Sequence, residues 1–270
     1  MRLLQTFTVT IALAMSYPAI ATAGVSVIDG TEPARQARWE AISEYIFGEE
    51  TIEAGDHLIA IEAPSRAQDP ALVPITLRLL DKEDVKAIHL IIDDNPSPYA
   101  AKITFGPAGD PSEINLRVRV NSYTNIHAVA ETSSGKLYQT RTFVKASGGC
   151  AAPITVSDAQ ALEGAGQMKM KFGEGERASS ATLMIRHPNF SGMQMNQVTR
   201  HFTPARYLDK VKVSYGDQMV FELTGDISLS SDPVIGFAYE QTKAAQFVVE
   251  ATDTKGLSWE EAFIIPARTN

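Results

Sequence analysis

A single thiol, Cys150, is the group in this 270-residue chain best fitted to covalent chemistry. It sits in Lys145-Ala146-Ser147-Gly148-Gly149-Cys150-Ala151-Ala152-Pro153, between two halves that each read as a folded unit. Gly148 and Gly149 widen the backbone's φ range just before the sulfur, and Pro153 stops any continuing helix or ladder after it. A buried cysteine acts as a small hydrophobe and needs apolar neighbours at strand or helix spacing, which Ser147, Gly148 and Gly149 do not supply. The segment therefore reads as an exposed, mobile arm that owes its flexibility to the two glycines. At an ordinary pKa near ~8.5, roughly a few per cent of such a thiol is thiolate at neutral pH, already a strong sulfur nucleophile without a built-in base. Lys145 is the one cation near it in sequence, and on a flexible arm its influence is weak and screened.

The other chemistry-bearing clusters read as structural. His187 and His201 with Met168, Met170, Met193 and Met195 offer soft ligands of the kind that suit Cu(I). The alternation Met168-x-Met170 equally suits one buried strand face, so no metal is assigned. Asp93-Asp94-Asn95, placed before Pro96, reads as a turn rather than a cation site. Asn189-Phe190-Ser191 is a formal glycosylation triplet. GxGxxG, P-loop, CxxC, HExxH and nucleophile-elbow patterns are absent, which removes the usual enzyme and cofactor signatures. Flexible glycines beside Cys150 also fail to hold the near-attack geometry that catalysis needs. The expectation is a protein without catalytic activity or cofactor of its own.

The elements that must position Cys150 are short strands. Trp39, Ile42, Tyr45 and Ile46 recur at helical spacing up to Gly48, a C-terminal stop, after a polar entry containing Pro33. Beyond Ile52 the period changes to two. Strands are predicted around Leu58 to Ile61 and over 73–80, 85–92, 101–105, 114–120, 127–131 and 138–144, separated by turn signals such as Pro96-Ser97-Pro98 and Gly109-Asp110-Pro111. The second half repeats this grammar over 168–172, 182–185, 207–215, 219–223, 234–238, 246–251 and 259–265. Short strands with turns every ten or so residues make an all-β protein of two immunoglobulin-like β-sandwiches in tandem, with a short N-terminal helix in the first. The expected divisions are a leader over 1–23, a first sandwich over 24–146, an arm and linker over 147–156, and a second sandwich over 157–270.

The expected leader rests on an apolar run, Leu3 to Ala14, behind Arg2, and on Ala21-Thr22-Ala23 as a signal-peptidase site. Pro18 and the interspersed Thr and Ser residues leave that run too short to span a bilayer. An exported chain with one cysteine forms no internal disulfide, so its thiol is buried, paired with another molecule, or chemically employed. The formal charge of −8, which becomes −9 once Arg2 leaves with the leader, argues against nucleic acid and anionic membrane as partners.

These residues resemble a known family. Trp39 to Gly48, Ala63-Pro64 followed by Val73-Pro74-Ile75, Asn95-Pro96-Ser97-Pro98 and Gly148-Gly149-Cys150 resemble SoxY, the sulfur-carrying subunit of the thiosulfate-oxidising Sox system. In the second half, Ile185-Arg186-His187-Pro188, Arg200-His201-Phe202, the strand from Val211 to Tyr215, Ser230-Ser231-Asp232-Pro233 and Asp253-Thr254-Lys255-Gly256 resemble its partner, SoxZ. The resemblance implies a fusion of two proteins that elsewhere associate as a heterodimer of immunoglobulin-like sandwiches, expected to dock here through sheet surfaces. It implies that Cys150 carries sulfur-compound intermediates covalently, with Gly148 and Gly149 giving the arm its freedom. It implies a periplasmic location and, as partners, Sox-type enzymes or c-type cytochromes. Two departures stand out: Cys150 is followed by Ala151-Ala152-Pro153 and a second domain rather than a free diglycine tail, and the leader lacks a twin arginine. Fused carriers of this kind resemble a subgroup associated with PQQ-dependent alcohol dehydrogenases, which adds such a dehydrogenase as a partner. The alternative is a non-covalent binding or assembly module for that dehydrogenase or its cytochrome, with Cys150 incidental.

Overall fold

The computed structural model describes residues 30–81, 85–241 and 246–266, so the leader expected over 1–23 lies outside the described residues. The chain opens with helix α1 (Glu32–Phe47). Pro33 sits in its first turn, where a missing N–H costs nothing, and Gly48 closes it at φ 68°, donating its N–H to the Glu44 carbonyl. The first half continues as β1 (Ile52–Ala54), β2 (Ile59–Glu62), β3 (Val73–Leu79), β4 (Val85–Ile92), β5 (Tyr99–Phe105), β6 (Gly109–Val118), β7 (Thr124–Thr132) and β8 (Leu137–Val144). A single 3-10 turn, Gly149–Ala151, and the short helix α2 (Asp158–Ala161) lead into the second half. There β9 (Met168–Phe172), β10 (Ser180–Ile185), β11 (Leu208–Tyr215), β12 (Gln218–Gly225), β13 (Val234–Tyr239), β14 (Gln246–Asp253) and β15 (Ser258–Ile264) complete the fold.

The strands form two sheets, in the orders β1-β8-β7-β4-β5-β12-β11-β14-β15 and β2-β3-β6-β13-β10-β9. Each half is an immunoglobulin-like sandwich, as expected, but the mode of docking is not. The halves meet edge to edge rather than face to face: β5 pairs antiparallel with β12, and β6 with β13, so both sheets run unbroken through the chain. The physical reason is the open edge. Four strands with unpaired N–H and C=O groups satisfy each other, which covering by sheet faces would not achieve.

One apolar core fills the space between the sheets and crosses the seam. Leu77, Ile88, Leu90 and Ile103 of the first half share it with Leu183, Val211, Phe221 and Phe237 of the second. Helix α1 lies on the outer face of the larger sheet, where Trp39, its buried residue, packs with Ile91, Val129 and Leu137. Trp39 also stacks flat on His127, with centroids 3.7 Å apart and planes 3° from parallel. Among the described residues no helix is long and apolar enough to cross a membrane.

Candidate functional site

The seam between the halves ends at one pole in a knot of buried polar groups. The turn Asp93-Asp94-Asn95 is its first component, and all three residues are buried. Asp94 pairs with Arg38 of α1 at 2.8 Å. The Asn95 amide donates to the Arg119 carbonyl at 2.7 Å and to Ser228 Oγ at 2.8 Å, while its Oδ1 accepts from the Asn121 N–H. The segment after β6 is thus held against both halves, since the Arg119 N–H also donates to the Ser228 carbonyl. The sequence reading of 93–95 as a turn agrees with the structure, which adds that the turn cross-links the two sandwiches.

Cys150 comes to rest on this knot, and here the structure overturns the expectation of an exposed thiol. Its relative exposure is 0%. The Gly148 N–H donates to the Asn121 carbonyl and the Gly149 N–H to the Val120 carbonyl. Gly148 adopts φ 79°, the left-handed conformation a side chain disfavours. A Cβ on Gly149 would lie 2.0 Å from the Pro70 carbonyl oxygen and 2.6 Å from that of Val120. Of the two glycines read as joints, Gly148 therefore supplies the left-handed turn and Gly149 the close approach that lays the backbone flat on the first half, and the sulfur follows it inward. From the second half, Ser191 Oγ donates to the Cys150 carbonyl at 2.5 Å and Gln194 Nε2 to the Ala152 carbonyl at 3.0 Å. Both halves hold the segment, and an apolar pattern around the cysteine is not needed to bury it.

The buried cation that the fold brings to this segment is Arg119, whose neighbour Val120 accepts from the Gly149 N–H, whereas Lys145 is exposed. Arg119 is 1% exposed, and its guanidinium donates to the carbonyls of Ile227, Leu229 and Pro188, all in the second half. Its Nε has no hydrogen-bond partner among the described residues. Burial drives the Cys150 pKa up to about 11, opposed by the charge of Arg119, and burial likewise lowers that of Arg119 to about 10. In this closed position the sulfur stays a protonated thiol at neutral pH and is a poor nucleophile.

Arg119, Ser191 and Gln194 were not legible as site residues. Arg119 falls in the alternating stretch from Ile114 to Val120 as one more polar position, and the pattern at Ser191 is that of a glycosylation triplet. Nothing in sequence spacing links them to a cysteine 31, 41 and 44 positions away, respectively. The copper ligands considered from sequence differ in their surroundings. His187 is fully buried, with Nδ1 2.7 Å from Asn189 Oδ1 and Nε2 3.5 Å from Asp253. Met168 belongs to the apolar core, whereas His201 is exposed and Met195 is 40% exposed.

Comparison with known families now has a geometry to meet. Residues 43–150 match the family model described as sulfur oxidation protein SoxY, and residues 170–263 match that of sulphur oxidation protein SoxZ. The chain belongs to the SoxY and SoxZ families, joined in one polypeptide. It is a SoxY–SoxZ fusion. Among solved structures, the sulfur carrier protein SoxY from Chlorobium limicola f thiosulfatophilum is 27% identical, over 42% of this chain and 94% of its own, with a TM-score of 0.36. Two superoxide reductases (neelaredoxins) from Ignicoccus hospitalis are each 14% identical over 33% of this chain, covering 79% and 80% of their own, with TM-scores of 0.30 and 0.29. Comparison with the curated proteins gives no match.

Proposed function

We propose that this SoxYZ fusion carries sulfur compounds covalently on Cys150, in the periplasm, and presents them to partner oxidoreductases without catalysing a reaction itself. The observation that carries the reading is the coincidence of the SoxY match, which runs to residue 150, with a docked segment that few bonds hold. Upstream, Lys145 bridges to Arg66; downstream, Ile154 bridges to Asn196. Between these anchors the segment from Ala146 to Pro153 can lift as a loop. Among the described residues four hydrogen bonds to the rest of the chain resist, those made by Gly148, Gly149, Ser191 and Gln194, together with the burial of Ala146 and Cys150. At about 0.5–1.5 kcal/mol net each, the hydrogen bonds contribute roughly 2–6 kcal/mol to closure, to which the two buried side chains add, and a docking enzyme must supply the sum. Lifting returns the thiol to water and to its ordinary acidity, so activation accompanies delivery. A thiol that is unreactive until presented is also spared the oxidation that exposed, acidic cysteines suffer.

Sox-type enzymes, c-type cytochromes and a PQQ-dependent dehydrogenase are the partners this reading takes from the family resemblance. Replacing Cys150 with Ser preserves the size of the side chain, so the variant should fold like wild type yet lose function in vivo. Growth equal to wild type on every substrate that requires the gene would make Cys150 a packing residue and favour a non-covalent assembly module.

A further inference from the structure

Arg119 is an unusual residue to find at the seam. A guanidinium removed from water is costly unless an anion or a full set of acceptors meets it. Arg119 has three carbonyl acceptors, an unpartnered Nε, and no carboxylate of the described residues acting on it. The nearby Ser230 hydroxyl, next in sequence to the Leu229 carbonyl that Arg119 binds, is likewise buried without a partner. Cys150 is packed against the same stretch of chain, since the Gly149 N–H donates to the carbonyl of Val120, the residue after Arg119, and burial keeps the sulfur a neutral thiol in the closed arm. A buried cation facing a neutral sulfur is an incomplete pair.

We propose that Arg119 is the fixed counter-cation for negative charge carried on the Cys150 sulfur, so that the closed arm favours anionic cargo over neutral cargo. This rests on Cys150 being the carrier site and adds what its resting place selects. A sulfur chain ending in a persulfide anion or an S-sulfonate brings the acceptor that Nε lacks. A neutral adduct of the same size brings bulk without charge. The arm would close on the first and stay open with the second, so the charge of the cargo, read by Arg119, sets whether the adduct is sheltered or presented. Arg119 is on this account a positioning residue for the arm.

A pair of adducts of matched shape tests it. Iodoacetate and iodoacetamide each alkylate Cys150 by forming one C–S bond, with iodide leaving and the thiol proton passing to solvent. The products differ only in carboxylate against carboxamide. Hydrogen exchange of the amides of residues 148–151 then reports closure, since Gly148, Gly149 and Ala151 all donate to carbonyls in the closed arm. In wild type the carboxymethyl protein should exchange there roughly tenfold or more slowly than the carbamidomethyl protein, the effect of one buried charge-assisted hydrogen bond. Arg119→Met should abolish the difference and Arg119→Lys should retain part of it. Equal exchange of the two wild-type adducts overturns the proposal, as does a difference that persists in Arg119→Met. Should Arg119→Met fail to fold, Arg119→Gln carries the same comparison, and the wild-type pair still decides. Failure here leaves the carrier reading intact, because that reading depends on whether native Cys150 bears cargo and not on how charge affects closure.

Discussion

Cys150 shows how a residue's chemistry can be legible while its surroundings are not. The thiol, its two glycines and Pro153 point to covalent chemistry on a small, bendable segment. What the segment rests on comes from Pro70, Val120, Asn121, Ser191 and Gln194, which no local pattern connects. The glycines also separate in role. Gly149 has no room for a Cβ, whereas at Gly148 a Cβ would meet open space and only the positive φ resists it. Gly148→Ala should therefore cost about 1–2 kcal/mol of closed arm, the ordinary left-handed penalty. Gly149→Ala should displace the arm outright. Alkylation of Cys150 by iodoacetamide at neutral pH measures this: slow in wild type because burial keeps the thiol protonated, moderately faster in Gly148→Ala, and near the rate of an unburied cysteine in Gly149→Ala. Equal slow rates in both variants would contradict the docked geometry.

At the scale of elements, apolar runs and period-two alternation both place strands well. The runs expected over 85–92 and 168–172 coincide with β4, buried along nearly its whole length, and with β9, and β3 alternates between buried and more exposed positions. Pattern fails where pairing comes from elsewhere in the chain. Gly109-Asp110-Pro111 carries the signals of a turn, yet β6 begins at Gly109, because Gly109 and Asp110 pair with Tyr239 and Ala238 of β13 across the seam. A Cβ on Gly109 would lie 2.2 Å from the Val220 carbonyl oxygen, so this glycine serves close approach between the halves rather than chain reversal. The three-residue strand β1 escapes notice for a similar reason: it exists through parallel pairing with β8. Strand existence is written locally. Strand neighbours are not, and the docking of the two sandwiches by their edges follows from the neighbours.

For the whole molecule, the fusion means that two sheets and one core tie together what the linker joins covalently. The tether raises effective concentration into the mM range, but paired edges and shared apolar residues should hold without it. Cleavage at a protease site engineered between Ala151 and Thr155 should leave both fragments in one peak on gel filtration. Separation into two smaller species would show that the linker holds the halves. Tethering also fixes the Cys150 segment at both ends, so on the proposed reading cargo would travel on a loop bounded by Lys145 and Ile154 rather than on a free tail. Whether this loop bears cargo is tested most directly by the intact mass of protein purified from the cells that make it, before and after reductant. The account predicts a mass above that of the leader-free chain which falls to it on reduction, with the adduct mapping to Cys150. An unmodified mass in cells actively using the pathway, unchanged by reductant, would contradict it.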